Sequence, residues 1–163
     1  MQMDLGAKDI IMVLLGFTLA WLPQWFDRRR KIVAHWAALR AEAMLCVERA
    51  HTLLSDKVMA PLYRLPTTAY EKAFPILLIE GEMTEEQLLA LSRFFSQAQD
   101  INRGLDHATA MAHADDSEKL KREYSRLLVK ATEIVGGADG NGLLSKNLFD
   151  LVNTKLEQSP ISR

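Results

Sequence analysis

At 163 residues the chain has the length of one domain, and its 48% hydrophobic and 25% charged residues are ordinary for a globular protein. The net charge is −1, and acidic and basic residues balance from Asp27 onward. That excludes the general positive field of a nucleic-acid binder. One cysteine, Cys46, excludes an intramolecular disulfide framework and fits a reducing compartment.

The first element is apolar. From Ile10 to Phe26 there is no charged residue, and only Thr18 and Gln24 carry strongly polar side chains. A run of this length is at the short end of what spans a bilayer as a helix, for which ~17 residues are needed. Trp21, Trp25 and Phe26 stand at its C-terminal end, where interfacial aromatics belong, and Arg28, Arg29, Arg30 and Lys31 follow directly. A signal peptide has the opposite order of charge and ends in small residues, not Trp25-Phe26. An interfacial helix needs a polar face, which Ile10 to Leu22 lacks. A buried core helix is the competing reading for so short a run. The basic flank predicts an N-terminus outside and a C-terminal domain in the cytoplasm, as at a bacterial inner membrane. It also attracts anionic headgroups.

The next helix is expected from about Lys31 to Lys57. Ile32, Trp36, Leu39, Ala43, Cys46, Ala50 and Leu53 alternate steps of four and three, a heptad seam of the coiled-coil kind. No strong breaker other than Pro23 separates it from the apolar run, so the two are expected to form one nearly continuous helix, kinked near Pro23. Pro61 and Pro66 bracket a turn. Thr68 with Glu71 then has capping-box spacing, and a short helix through Tyr70, Phe74, Leu77 and Leu78 follows, kinked or restarted at Pro75 and ended by Gly81.

Thr84 with Gln87 is a second capping box. The long helix after it runs to about His113, with a stripe of Leu91, Phe94, Ala98, Ile101, Leu105, Ala108 and Ala112. Asp115-Asp116-Ser117 caps another helix, lined by Leu120, Tyr124, Leu127, Ala131 and Ile134 and stopped by Gly136-Gly137. On its outer side Glu118 with Arg122 and Lys119 with Glu123 have ion-pair spacing. A glycine-rich loop leads to a last helix with Leu144, Leu148, Leu151, Val152 and Leu156. The expected fold is all-α. It has a single transmembrane helix with its basic flank (residues 1–30), an antiparallel bundle of about four helices plus one short one (31–158), and a flexible tail (159–163).

Few residues suggest chemistry. Glu48 and His51 have the Glu-x-x-His spacing of carboxylate-bridged metal bundles, but a second such pair is missing from the sequence. His107 and His113 are six apart and do not share a helix face. His35 sits beside the basic run. Cys46 lies on the seam, where a small buried thiol is expected. Asp139-Gly-Asn-Gly142 starts like a calcium loop but fails the pattern at Leu143. No catalytic, cofactor or metal residue is therefore assigned, and no cofactor is implied. Asn102, bordering a core stripe near Gly104, is the candidate specificity residue: it either sets register and partner choice or faces solvent.

The expected function is a membrane-anchored cytoplasmic interaction module, more in keeping with binding than with catalysis. It binds a partner protein, self-associates, or serves as an accessory subunit of a membrane complex, with Gly16 and Ala20 at small-xxx-small spacing in the span. The expected partners are membrane lipid and a protein or second copy, not nucleic acid. The alternative is a helical-bundle enzyme or a metal- or ligand-binding protein.

Overall fold

The computed structural model describes residues 6–56, 64–113, 117–136 and 143–158, with backbone alone for 7–9, 56, 113 and 143. Pro61, Asp115, Asp116, Gly137, the Asp139–Gly142 loop and the 159–163 tail lie outside the described residues. Five helices are present among those described, and no strand: α1 (Ala7–Asp56), α2 (Thr68–Ile79), α3 (Glu85–His113), α4 (Ser117–Val135) and α5 (Leu143–Glu157).

The all-α fold expected from periodicity is what forms, a long apolar N-terminal helix leading into a bundle. The helix α1 passes without interruption through Pro23. Every member of its heptad seam, Ile32 to Leu53, is buried. Small Ala43, Cys46 and Ala50 keep the middle of that seam thin, so α1 packs closely against α2, α4 and α5.

Helix α2 runs antiparallel to α1: its N-terminus meets Glu42 and its C-cap residue Glu80 pairs with Arg28. Its start departs from the expected capping box. The N-cap is Thr67, whose hydroxyl bonds the Glu71 carboxylate and not a backbone N–H. The orphan N–H groups of Ala69 and Tyr70 are met by the two carboxylate oxygens of Glu42, at 2.7 Å each. A partner from another helix thus displaces the local cap. Pro75 does not restart the helix; it lies on the exposed side, as does Glu71, whose carbonyl it leaves without an intrahelical donor. The end is a Schellman motif. Glu82 N–H donates to Leu77 C=O and Gly81 N–H to Leu78 C=O, with Gly81 at φ +66°.

The second capping box forms as expected, with Thr84 N–H on Gln87 Oε1 at 3.0 Å and Gln87 N–H on Thr84 Oγ1 at 3.3 Å. On α3 the stripe is buried from Leu91 to Ala108, while Ala112 is exposed. The buried face is wider than one seam. Phe95 is as buried as Phe94 because α2 covers that side, and Tyr70 stacks on Phe95 with ring centres 4.4 Å apart.

Helices α4 and α5 both run antiparallel to α3, one after the other. Gly104 faces Glu123 and Leu127, Gln97 reaches Lys130 and Glu133, and Lys155 reaches Glu82. Together they cover the length of α3. Gly136, at φ +86°, stops α4 and donates to Thr132 C=O at 2.7 Å. On the α4 surface Glu118 pairs with Lys121 rather than Arg122, and Glu123 holds Arg126.

Candidate functional site

Along α1 two environments succeed each other. Every large apolar side chain from Ile10 to Leu22, and again at Phe26, is exposed, from 41% at Leu22 to 74% at Met12. The exposure covers consecutive residues and hence the whole circumference of the helix. Monomeric proteins in water rarely leave so large a contiguous apolar surface bare, and a helix apolar all round is matched to apolar surroundings. Among the described residues this is one helix long and apolar enough to cross a membrane; its apolar window has mean hydropathy 1.5 and none of it is buried. The Thr18 hydroxyl is satisfied inside the helix by Leu15 C=O at 2.9 Å.

The aromatic and basic residues expected at the membrane interface fall at the foot of the bundle. Trp25 stacks on Trp21 at 6.5 Å and meets Phe26 edge-on at 5.1 Å. The Arg29 guanidinium lies 4.2 Å from the Trp25 ring centre, a cation–π contact. Arg28 pairs with Glu80, while Arg30 and Lys31 are exposed. Two open grooves flank this stretch. One, of ≈ 450 Å³, lies between Gln24, Asp27, Arg28, Lys31 and His35 on α1 and Ile76 and Glu80 on α2. The other, of ≈ 190 Å³, lies between Arg29, Val33 and Trp36 and the α5 end at Lys155 and Leu156.

A second polar cluster lies farther up α1, around residues 64–70. Asn102, on α3, is half-buried and grips one residue with both ends of its amide: it accepts from Leu65 N–H at 2.7 Å and donates to Leu65 C=O at 2.8 Å. Cys46 Sγ donates to Pro66 C=O at 3.1 Å, and Arg49 donates to Arg64 C=O. Arg64 in turn pairs with Asp106. With Glu42, four side chains from α1 and α3 satisfy the backbone of a segment that has no strand or helix partner before Thr68. Burial, followed by the nearby Glu42 charge, pushes the Cys46 thiol up to about 12 despite the opposing Arg49. At neutral pH it is a protonated donor, not a nucleophile.

The remaining sequence candidates are scattered. Glu48, His51 and His107 are exposed, and His35 lines the groove toward Ile76. Among the described residues no group of three or more His, Cys, Asp or Glu side chains converges on one point. Sequence reasoning missed Glu42, although an acidic residue beside the Leu39–Ala43 seam is an available signal. It also missed Ile76 and Ile79 and set Leu78 in line with buried Leu77; all three stand exposed at the end of α2. Comparison with protein-family models, curated proteins and solved structures finds no match to this chain.

Proposed function

We propose that this protein is a single-pass membrane-anchored interaction module, its N-terminus outside and its bundle on the cytoplasmic face, as at a bacterial inner membrane. The observation that carries the reading is the change of surroundings within one unbroken helix. No residue from 10 to 26 of α1 is buried, whereas the seam from Ile32 to Leu53 of the same helix lies in the bundle core. A hydrophobic segment of ~17 residues rises ~25 Å, close to the ~30 Å hydrocarbon core of a bilayer, and tilting or local thinning takes up the difference. The four basic residues after it favour the cytoplasmic side for the bundle.

Binding is favoured over chemistry by the kind of surface left open. Met44 and Leu45 stand 52% and 47% exposed on the outer face of α1, beside small Ala37, Ala38 and Ala41, a strip suited to a helix of a partner protein. The test uses the full chain in its native membranes. Alkaline carbonate should leave it in the membrane pellet, and a reporter after Arg163 should be active in the cytoplasm. A photo-crosslinker at Met44 should give a discrete adduct with a second polypeptide. Release by carbonate, or export of the reporter, overturns the anchor or its orientation; a crosslinker that yields only the unmodified chain overturns the partner.

A further inference from the structure

We propose that the tip of α2, carrying Ile76, Leu78 and Ile79, is a second point of contact with the bilayer, seated in the headgroup region of the cytoplasmic leaflet beside the anchor. This rests on the anchor reading of α1 and adds a surface to it. The three side chains are 41%, 52% and 83% exposed, and only Leu77 of the run points into the core. Among the described residues Ile79 is the most exposed large apolar side chain, α1 included.

Height along α1 decides which surroundings these side chains meet. The antiparallel course of α2 points its C-terminus toward the apolar end of α1. Ile76 and Glu80 share a groove with Gln24, Asp27 and Arg28, and Glu80 pairs with Arg28. Arg28 stands two residues, ~3 Å of helix rise, from Phe26. Gln24 lies on the far side of Phe26, within the apolar run. The tip is therefore level with the Trp25–Phe26–Arg29 cluster, where lipid headgroups give way to acyl chains.

The backbone at the tip is prepared for such a setting. A helix end normally exposes carbonyl groups that need water. Here Ile76 C=O accepts from Glu80 N–H at 2.9 Å, and the carbonyls of Leu77 and Leu78 are closed by the Schellman motif at 3.1 and 3.2 Å. With these three carbonyls closed, the apolar side chains enter the interfacial region with few polar groups left for its water to satisfy. The charges around the tip fit the same placement. Glu80 is neutralised by Arg28 and Glu82 by Lys155, and Arg30 and Lys31 remain exposed for anionic headgroups. Glu85 and Glu86, in the first turn of α3, are exposed and oppose close approach of that turn. The apolar residues of α2 and not the α3 start therefore make the contact.

The experiment places an environment-sensitive fluorophore on single cysteines of the full chain, reconstituted in phosphatidylcholine vesicles containing phosphatidylglycerol. The sites are Phe17→Cys in the anchor, Ile79→Cys at the tip and Val129→Cys, an exposed apolar position on α4 beside the Asp100–Lys130 pair. Buried Cys46 stays in place, and the unsubstituted chain serves as the labelling blank. Spin-labelled lipids with the nitroxide just below the headgroup should quench Ile79 several-fold more than Val129, with a blue-shifted emission at Ile79. A Phe17 label quenched by deep nitroxides alongside an Ile79 label no more quenched than Val129 overturns this proposal and leaves the anchor standing. Absence of quenching at both Phe17 and Ile79 overturns the two together. Protection of Ile79 that grows with protein-to-lipid ratio and ignores the nitroxides assigns the tip to a second copy and overturns the lipid contact.

Discussion

Glu42 does three things at once, each through its carboxylate. It is buried, it caps α2 from a neighbouring helix, and its charge helps keep the Cys46 thiol protonated. Removing it leaves two backbone N–H groups without an acceptor at a part-buried helix start. Glu42→Ala should therefore destabilise the chain by about 1–3 kcal/mol, and Glu42→Gln, which keeps one acceptor oxygen, by less. Urea unfolding of the full chain in mild detergent measures both; equal stability of Glu42→Ala and the parent shows that water replaces the cap. Asp100 gives a prediction in pH. Its carboxyl is held below the usual 3.8 first by the hydrogen bond from Lys130, at 2.5 Å; burial, next in size, opposes it, and the neighbouring charges of Lys130, Arg103 and Arg126 add to the lowering. A lowered folded-state pKa stabilises the fold above 3.8 and loses that contribution as pH falls through the folded value. The pair is partly exposed, so the effect stays below about 1 kcal/mol. Asp100→Asn should lose that contribution at neutrality, match the parent at low pH where Asp100 is protonated, and so flatten the acid-side loss of stability below pH ~4. An unchanged acid limb in that variant removes Asp100 from the account.

At the scale of elements the close approach of α3 and α4 turns on Gly104. A Cβ there would stand 2.3 Å from Leu127 Cδ2 and 2.9 Å from Glu123 Oε1. Alanine improves helix propensity by up to ~1 kcal/mol, but Leu127 is fully buried and has little room to yield, and overpacking costs about 1–3 kcal/mol. The clash should win, and Gly104→Ala should lower stability. Leu127→Ala alone should cost ~2–5 kcal/mol by opening a cavity. Combined, the two changes should cost less than their sum, because the new methyl occupies part of that cavity. Strict additivity in the double-mutant cycle places Gly104 away from Leu127. The same scale explains why the stripe on α3 is wider than its heptad pattern. A helix packed against α4 and α5, with Tyr70 of α2 stacked on Phe95, buries Phe94 and Phe95 together.

At the scale of the whole molecule α1 joins an exposed apolar half to a half that builds the core. Its continuity from Ala7 to Asp56 means that, with the apolar half as the proposed anchor, the bundle is not hung on a loose linker. The Arg28–Glu80 pair ties α1 to the end of α2 at the junction, and Arg29 lies over Trp25 of the preceding turn of α1. Spin labels at Arg30 and Ala34, both exposed, should show slow and anisotropic motion in bilayers. Fast isotropic motion at both sites makes the junction a hinge and the bundle a tethered body. A braced bundle would keep one face toward the lipid, which is the condition that the proposed contact of the α2 tip requires.

Much of this was legible in the chain itself. The charge-free run from Ile10 to Phe26, the seam from Ile32 to Leu53 and the Thr84–Gln87 box are local patterns, and local patterns survive folding because they depend on helix geometry alone. Gly81 and Gly136 ended helices for the same reason, by adopting positive φ. What the tertiary structure decided are pairings between distant residues. Glu42 replaces the Thr68–Glu71 cap because α1 happens to bring a carboxylate within 2.7 Å of two free N–H groups. Asn102 grips Leu65, thirty-seven positions away, because the segment before α2 lies across α3. Leu78, set by sequence in line with buried Leu77, is exposed together with Ile79 because the antiparallel course of α2 carries both to the foot of the bundle, where α1 leaves the protein interior. No periodicity in the chain encodes those distances; they follow from which helix packs beside which, and in what direction.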